Sequence, residues 1–591
     1  MDKLKLCNLF RGRSFKIPDY QRDYAWEEKQ LKDFTEDLDA LATDDSIKSH
    51  YIGTVVTFTS ADRKIDYNNK KQMQVHDVVD GQQRLTTICL YISIIIKSLT
   101  EKNVSKYDRL TLLFLHDGYK SRLTLNEDSL QNLFFQLIKQ GNPRTPIDTP
   151  SGVRLQKAYS YLSDHLNKKE AAKLKELLNT LLKKVVLTYY TIEEESEIGM
   201  SFELMNSRGK DLSVLELLKN YFMYWIHRNS GNDKDKLTKK VNDNWRFVYK
   251  NIGDCSGNDE QCLRIAWTLC FDHTPKNWKR YDGFKERIPL RYFSEPQNKE
   301  AVKEILADFT DKLAEVSRYY SIIVSPTEKN TPDEEELKWL IKIRNIGNLA
   351  NFFPLIVAAR AREKNEIERK LYIKLLEALE RYAYRKSHRA VCLILLGKDL
   401  FENKTKLEDI INLIDGLTQR YYSTSNFKEA LEKPSHWYSR SRLLKYTLFE
   451  YEIHLKKQKP CIAWEDKDIS IEHILPQTLD EGSQWLTDWN NENDIKTYLH
   501  DIGNLVLTRD NTSLSNKEFN DKKGKPGEGT GYSNSDIRQE RRIASFDKWD
   551  KDAVEKRRNE IIEWITDRWK LPDNTPSSSI PDSSDTDDDS I

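Results

Sequence analysis

The spacing of apolar residues in the first hundred positions predicts strands that alternate with helices. Segments 51–59 and 74–79 are rich in β-branched and aromatic residues, which is typical of buried strands. Segment 27–41 carries apolar side chains at helical spacing, and the apolar run 85–99 is long enough for a buried helix. The apolar stripe of the first helix consists of Leu31, Phe34, Leu38 and Leu41. The pattern therefore predicts an α/β domain at this end of the chain.

Helical patterns dominate the middle of the chain, over segments 110–187 and 242–451. One apolar stripe, with the spacing i, i+3, i+4 and i+7, consists of Tyr372, Leu375, Leu376, Leu379 and Tyr382. We interpret such stripes as the core-facing sides of helices and not as cofactor sites.

The pattern changes again near the C-terminal end. Two short β-type runs, 469–471 and 504–508, precede a helix-like segment around Phe519, and a charged helical segment follows at 537–569. Together these elements predict an α+β protein that is predominantly helical. Its predicted parts are an α/β domain, a helical middle and a C-terminal ββα unit.

The length of the chain, 591 residues, predicts three or four domains. We place the α/β domain at 1–235, a helical coupling region at 236–455 and the ββα domain at 456–570. The tail at 571–591 is rich in Ser, Asp and Pro and has no Lys or Arg. Such a composition predicts a disordered acidic tail.

The formal net charge is zero, with 94 basic and 94 acidic residues. Net charge therefore gives no support for nucleic-acid binding, and any basic patch must be local. The seven cysteines form no C-x-x-C pair, which favours reduced thiols in a cytoplasmic protein. No apolar run is long enough to cross a bilayer and no signal peptide is visible, so we expect no membrane association.

The first chemical candidate lies at the end of the first C-terminal β-type run, where Glu472 and His473 precede Pro476. Histidine can act as a general base near neutral pH. Adjacent strand residues point to opposite faces, so Glu472 and His473 can share a site only if the strand ends there. Pro476 is consistent with such an end. The alternative is a surface histidine or a satisfied core histidine.

Oxygen donors near this histidine could hold a hard cation such as Mg²⁺. Glu472 and an asparagine amide oxygen, from Asn511 or Asn516, could supply two ligands while several waters remain on the metal. The metal would act as a Lewis acid and a template in phosphodiester hydrolysis. The order of the elements, a strand with an acid and His, a strand with Asn504 and a helix, is that of a ββα-metal (HNH-type) nuclease site.

The second chemical candidate is the junction between the predicted strand 74–79 and the helix after it. Gly81 allows a tight turn, and the N–H groups at the start of the helix favour an anion. Arg84 can grip a phosphate, and Asp80 could bind a metal or a ribose hydroxyl. The junction lacks the Walker A pattern. A polar turn with Arg84 in a salt bridge is an equally good interpretation.

A third segment combines a turn with a helix start. Asn206 and Arg208 lie in the turn, and Ser213 and Glu216 have the spacing of a capping box. From the residues alone, the turn has a purely structural interpretation, in which Asn206 and a glycine hold it.

Three C-terminal stretches, EHILPQ, IGNLVLT and LSNKEF, resemble the nuclease domain of GmrSD-type modification-dependent (type IV) restriction enzymes. The resemblance implies that His473 is the general base and that Asn504 orients it or the phosphate. It implies that Glu472 holds the metal with Asn516, with Asn511 as the rival ligand. Lys523 would contact the phosphate of the DNA.

Three N-terminal stretches, IPDYQRDYAW, YIGTVV and DVVDGQQRLTT, resemble the ParB/sulfiredoxin-like domain of the same restriction enzymes. This resemblance implies that the domain binds and hydrolyses a nucleoside triphosphate and that it senses modified DNA. The preferred base does not carry over from the resemblance, and we expect GTP or UTP rather than ATP. The implied nucleotide-site residues are Gln21, Arg22, Asp80, Gly81, Gln82, Gln83 and Arg84, with Asn206 and Arg208 as further candidates.

The sequence therefore predicts a nucleoside-triphosphate-dependent endonuclease of antiviral defence that cleaves double-stranded DNA with a base or backbone modification. A homo-oligomer is compatible with this prediction. Two alternatives stay open. One is a ParB-like DNA-binding regulator without nuclease activity, and the other is an RNase or toxin that uses the same ββα-metal site.

Overall fold

The computed structural model divides the chain into two compact units, Met1–Ser325 and Pro326–Ile591. The structure describes residues 2–18, 21, 23–44, 46–59, 64–67, 71–102, 107–126, 128–141, 143, 150–193, 213–253, 259–271, 278–289, 296–347, 351–385, 392–421, 423–433, 437–456, 462–573 and 575. The chain is mostly helical and contains one large mixed sheet, which agrees with the predicted α+β class.

The sheet of the N-terminal unit has seven strands in the order β1-β7-β3-β5-β2-β6, and β4 pairs with β5. Its strands are β1 (Asp2–Lys5), β2 (Arg13–Lys16), β3 (His50–Phe58), β4 (Lys64–Tyr67), β5 (Lys71–Asp80), β6 (Leu123–Thr124) and β7 (Val185–Ile192). Strand β3 runs parallel to β7 and antiparallel to β5, while β2 runs parallel to both β5 and β6. The strands predicted at 51–59 and 74–79 are confirmed as β3 and β5.

The helices of this unit form two groups: those up to Ala171–Lys183 pack in the apolar core of the sheet, and those from Val214–Asn229 onward pack on one another. They are Leu6–Leu9, Glu28–Thr43, Gln82–Glu101, Asp108–Phe114, Asp128–Gln140, Pro150–Asn167, Ala171–Lys183, Val214–Asn229, Lys234–Gly253, Asp259–Cys270, Arg280–Arg287 and Pro296–Val324. Helix Gln82–Glu101 follows β5 directly and is buried along nearly its whole length, because its sequence is apolar on all sides. The predicted capping box of Ser213 and Glu216 is confirmed at the start of Val214–Asn229.

The C-terminal unit begins with helices and then forms a short hairpin. The first helices are Glu334–Ile346, Phe353–Arg362, Glu366–Arg385, Cys392–Phe401, Leu407–Tyr421, Thr424–Leu431 and Ser441–Lys456. The hairpin consists of β8 (Ser470–His473) and β9 (Leu505–Thr508), which pair antiparallel. The later helices are Gln484–Asp488, Glu492–Tyr498, Asn511–Leu514, Phe519–Lys523, Arg538–Ile543 and Lys551–Arg568. The predicted stripe at 372–382 is confirmed as a buried helix face.

The two faces of the β8–β9 hairpin enter two separate apolar clusters. Leu505 and Leu507 pack in the cluster that includes residues of helices Ser441–Lys456 and Lys551–Arg568. Val506, on the opposite face, packs in the tryptophan-rich cluster of Trp485, Trp489 and Trp549. Because Glu472 pairs with Val506 and His473 with Leu505, the two side chains leave the strand on opposite faces.

Two further predictions concern membrane association and the acidic tail. Among the helices that the structure describes, none is both long and apolar enough to cross a membrane. Residues 576–591 of the predicted acidic tail lie outside the described residues.

Candidate active site

His473 is the last residue of β8, and both nitrogens of its imidazole have polar neighbours. Its Nε2 lies 3.0 Å from Nδ1 of His500, and its Nδ1 lies 3.2 Å from Nε2 of Gln477. The residue is 5% exposed. Burial of the ring, together with His500 and the charge of Lys522, lowers the pKa of His473 to about 4. The imidazole is therefore neutral at pH 7 and able to accept a proton.

An aromatic ring covers this pair of histidines. The ring of Tyr438 stacks on His500 with centroids 4.9 Å apart and an interplanar angle of 9°. The same ring meets His473 edge-on at 4.7 Å. Tyr438 thus holds the plane of the His500 ring beside His473.

Glu472 forms a buried ion pair with Lys522. The ammonium of Lys522 lies 2.5 Å from Oε1 of Glu472 and also donates to the carbonyl of His473 at 3.0 Å. Burial raises the pKa of Glu472 and lowers the pKa of Lys522, while the charge of each partner opposes the shift of the other. Lys522 therefore links the side chain of Glu472 to the backbone of His473.

Asn504 fixes the loop that follows His473. Its Oδ1 accepts hydrogen bonds from the N–H of Leu475 at 2.8 Å and from the indole N–H of Trp549 at 3.0 Å. Its Nδ2 donates to the carbonyls of Leu475 at 3.2 Å and Leu499 at 2.9 Å. Asn504 is fully buried, and none of these hydrogen bonds reaches the imidazole of His473.

The two asparagines considered as metal ligands lie at the start of the short helix Asn511–Leu514 and just after its end. Asn511 starts helix Asn511–Leu514 and lies against β8, with Nδ2 3.5 Å from the carbonyl of Ile471. Asn516 follows that helix and is half-buried. Asn511 is thus brought next to the residue that precedes Glu472 in the strand.

The junction between β5 and helix Gln82–Glu101 forms the second candidate site. Gly81 has φ +96°, and a Cβ there would lie 2.9 Å from a methyl group of Val55, so only glycine fits without strain. The guanidinium of Arg84 lies 3.2 Å from the Asp80 carboxylate and donates to the carbonyl of Ile52. The salt bridge considered as an alternative for Arg84 is therefore present.

The glutamines of this junction tie it to the segment around Gln21. The amide of Gln83 accepts from the N–H of Ala25 at 2.8 Å and donates to the carbonyl of Asp23 at 2.9 Å. Gln21 donates to the carbonyl of Val79 at 2.9 Å. Within the part of the chain that the structure describes, Oε1 of Gln82 is buried and has no hydrogen-bond partner. Of the other nucleotide-site candidates, Arg22, Asn206 and Arg208 lie outside the described residues.

Comparison with protein families gives two matches on this chain. Residues 6–223 match the model of the GmrSD restriction endonuclease N-terminal domain. Residues 421–564 match the model of the GmrSD restriction endonuclease C-terminal domain. The two matches occur on one chain, and each contains one of the two candidate sites.

The chain belongs to the GmrSD-type (type IV) restriction enzymes. It is a restriction endonuclease that acts on modified DNA. A comparison with curated proteins finds no match.

The side chains around Glu472 are the candidates for metal ligands in this GmrSD-type enzyme. Among the described residues, no group of three or more His, Cys, Asp or Glu side chains could hold one. Glu472 shares its carboxylate with the ammonium of Lys522. The described residues around Glu472 therefore do not form a closed set of protein ligands for a metal ion.

The two lysines of helix Phe519–Lys523 point to different partners. Lys523, the residue expected to contact phosphate, donates to the carbonyl of Phe546 at 2.7 Å. Its neighbour Lys522 enters the site beside Glu472. The sequence pattern could not choose between them, because both lie about one helical turn after Phe519.

Sequence reasoning missed four residues that the GmrSD-type fold brings to His473. They are Tyr438, Gln477, His500 and Lys522. The helical spacing from Phe519 marks Lys522 and Lys523 alike, so it could not have singled out Lys522. Nothing in the sequence pattern marks His500 or Tyr438, since both reach His473 from segments without a repeating pattern.

Proposed function

We propose that His473 is the general base with which this endonuclease hydrolyses a phosphodiester bond of modified DNA. A water oxygen attacks the phosphorus, and His473 accepts a proton from that water. One P–O bond of the backbone breaks, and the leaving oxygen takes a proton from solvent. The observation that carries the proposal is the position of the His473 imidazole at the end of β8, with its two nitrogens against His500 and Gln477.

The β8–β9 hairpin and helix Phe519–Lys523 would together form an HNH-type ββα unit. Asn504 and Lys522 fix the backbone on both sides of the imidazole, through Leu475 and through the carbonyl of His473. Mg²⁺ held by Glu472 with Asn511 or Asn516 would stabilise the charge on the phosphoryl group. Lys523 would add a phosphate contact at the cost of its bond to Phe546.

We further propose that the N-terminal sheet is a ParB/sulfiredoxin-like domain that binds and hydrolyses a nucleoside triphosphate at the β5–helix junction. Three observations support this. Gly81 allows the tight turn between β5 and the long helix, the N-terminus of that helix can face an anion, and the buried oxygen of Gln82 has no partner among the described residues. GTP or UTP is the proposed nucleotide. Its hydrolysis would couple recognition of the modification to cleavage.

A cleavage panel tests the proposal. Wild-type protein, His473→Ala and the control His454→Ala are incubated with unmodified, glucosylated-hydroxymethylcytosine and phosphorothioated DNA and with RNA, with Mg²⁺ and each nucleoside triphosphate. His454 is an exposed histidine of the same unit that packs against Tyr451 and Trp564. Cleavage of a modified DNA by wild type and His454→Ala, with none by His473→Ala, is the expected result.

Each other result of the panel counts against the proposal. Cleavage of RNA alone would favour the RNase interpretation. Binding of every DNA without cleavage would favour a ParB-like regulator. Equal cleavage by His473→Ala would remove the assigned base.

A further inference from the structure

We propose that His500 is a positioning residue of the nuclease site. It accepts the N–H of His473 Nε2 and thereby fixes the tautomer in which Nδ1 of His473 takes the proton of the water. This inference rests on the proposed role of His473 as the general base.

The tautomer follows from the hydrogen-bond partners of His473. A neutral imidazole has one donor nitrogen and one acceptor nitrogen. The amide nitrogen of Gln477 can only donate, so Nδ1 of His473 accepts its hydrogen bond at 3.2 Å. Nε2 of His473 therefore carries the proton and donates it to Nδ1 of His500 at 3.0 Å.

This arrangement leaves Nδ1 as the nitrogen that can act as a base. In this structure Gln477 donates to its lone pair, and a water that donates at Nδ1 replaces that bond. The partner at Nε2 stays in place during the exchange. In a nucleophile–base–acid triad, the acid holds the histidine ring in the productive tautomer. His500 has the same role for His473.

His500 is itself held firmly. Its ring stacks on Tyr438, and its chain neighbour Asp501 is fully buried. Asp501 accepts from the N–H of Gly503 at 2.6 Å and pairs with Arg558 at 3.2 Å. Because the next residue is anchored in this way, the backbone at His500 has little freedom to withdraw Nδ1 from His473.

A matched pair of variants in the full-length protein separates the hydrogen bond from ring packing. His500→Phe keeps a ring to stack on Tyr438 and removes the acceptor. His500→Asn removes the ring and offers an amide oxygen near the position of Nδ1. His454→Phe serves as the control, since this exposed residue lies outside the nuclease site.

The measurements are the single-turnover rate of cleavage and the affinity for a modified DNA that wild type cuts. His500→Phe is expected to slow cleavage by about 10- to 100-fold with unchanged DNA affinity, because only orientation of the base is lost. His500→Asn is expected to recover most of the rate. A wild-type rate in His500→Phe would overturn the proposal. Equal loss in His500→Asn would overturn it as well.

A second readout does not require activity. Nitrogen NMR of ¹⁵N-histidine-labelled protein, with the His473 signals assigned by their loss in His473→Ala, is expected to show Nε2 protonated and Nδ1 bare at pH 7. His500→Phe is expected to lose this single tautomer. A bare Nε2 in wild type would overturn the proposal. The proposed role of His473 as the base is tested by a different result: it is wrong if His473→Ala cleaves the DNA as fast as wild type.

Discussion

The ammonium of Lys522 and the carboxylate of Glu472 lie 2.5 Å apart, and the two residues are 0% and 3% exposed. Because Lys522 also donates to the carbonyl of His473, the pair ties helix Phe519–Lys523 to the end of β8. The geometry of the proposed base therefore depends on a charge pair that water does not reach. Breaking such a pair leaves an uncompensated charge inside the protein.

Lys522→Met is expected to destabilise the C-terminal unit by about 3–5 kcal/mol, since it leaves Glu472 buried without its partner. The double variant Glu472→Gln/Lys522→Met is expected to be clearly more stable than Lys522→Met alone, because it buries no charge. Urea unfolding of both variants and wild type measures the free energies. A loss below about 1 kcal/mol in Lys522→Met would show that the pair is not important for stability.

Asn504→Ala is expected to cost about 3 kcal/mol or more, because it removes four hydrogen bonds, among them those to the buried backbone N–H and carbonyl of Leu475. Cleavage is expected to fall while DNA affinity is retained, since the loop after His473 loses its anchor. Unfolding curves and single-turnover rates measure both effects. Asn511→Ala provides a comparison, because Asn511 is exposed and is expected to leave the unfolding free energy nearly unchanged.

Arg84→Ala is expected to reduce nucleoside triphosphate turnover by at least about 10-fold, because the guanidinium belongs to the first turn of the long helix that the proposed site uses. Arg109→Ala, which changes an exposed arginine of the same unit, is the control. Phosphate release with each nucleotide gives the rates. Unchanged turnover in Arg84→Ala would move the nucleotide site elsewhere.

The stability of the C-terminal unit is expected to fall as pH rises, because of Glu540. Burial raises the pKa of Glu540 to about 7, although Ser535 and Thr508 hydrogen-bond to it. A raised pKa means that the folded state holds a proton that the unfolded state has already lost. The contribution of Glu540 to the free energy of unfolding is therefore fully present below about pH 4.5 and is lost as the pH rises through 7.

Glu540→Gln keeps the hydrogen bonds without the titration. It is expected to remove up to about 3 kcal/mol of the difference in unfolding free energy between pH 5 and pH 8. Urea unfolding of wild type and variant at the two pH values measures this difference. The same pH dependence in both proteins would contradict the assignment.

The large elements of the fold could be predicted, because their signal is local. Strand β5 and helix Gln82–Glu101 carry their periodicity within a few residues. Strand β7 was not predicted although its sequence, VVLTYYTI, carries the β-branched and aromatic signal of a strand. Strand β1 could not be predicted, since it is short and is stabilised by pairing with a strand almost the length of the domain away. Such long-range pairing leaves no mark in a local pattern.

The candidate site could be predicted only in its residue types. Glu472 and His473 stand out because an acid and a histidine at a strand end suggest chemistry. The hydrogen-bond partners of Asn504 could not be predicted, because an amide can bind an imidazole, a phosphate or a backbone group equally well. The partner of His473 could not be predicted either, since His500 reaches it through a turn whose geometry depends on the buried Asp501.

The most direct test of the account is the single-turnover rate of His473→Ala on a modified DNA that wild type cleaves, measured with and without added imidazole. The account predicts a rate at least about 100-fold below wild type, because general-base catalysis of this kind contributes about 100- to 10,000-fold. It predicts that imidazole, which can enter the space left by the side chain, restores part of the rate. A rate equal to that of wild type without imidazole would contradict the account.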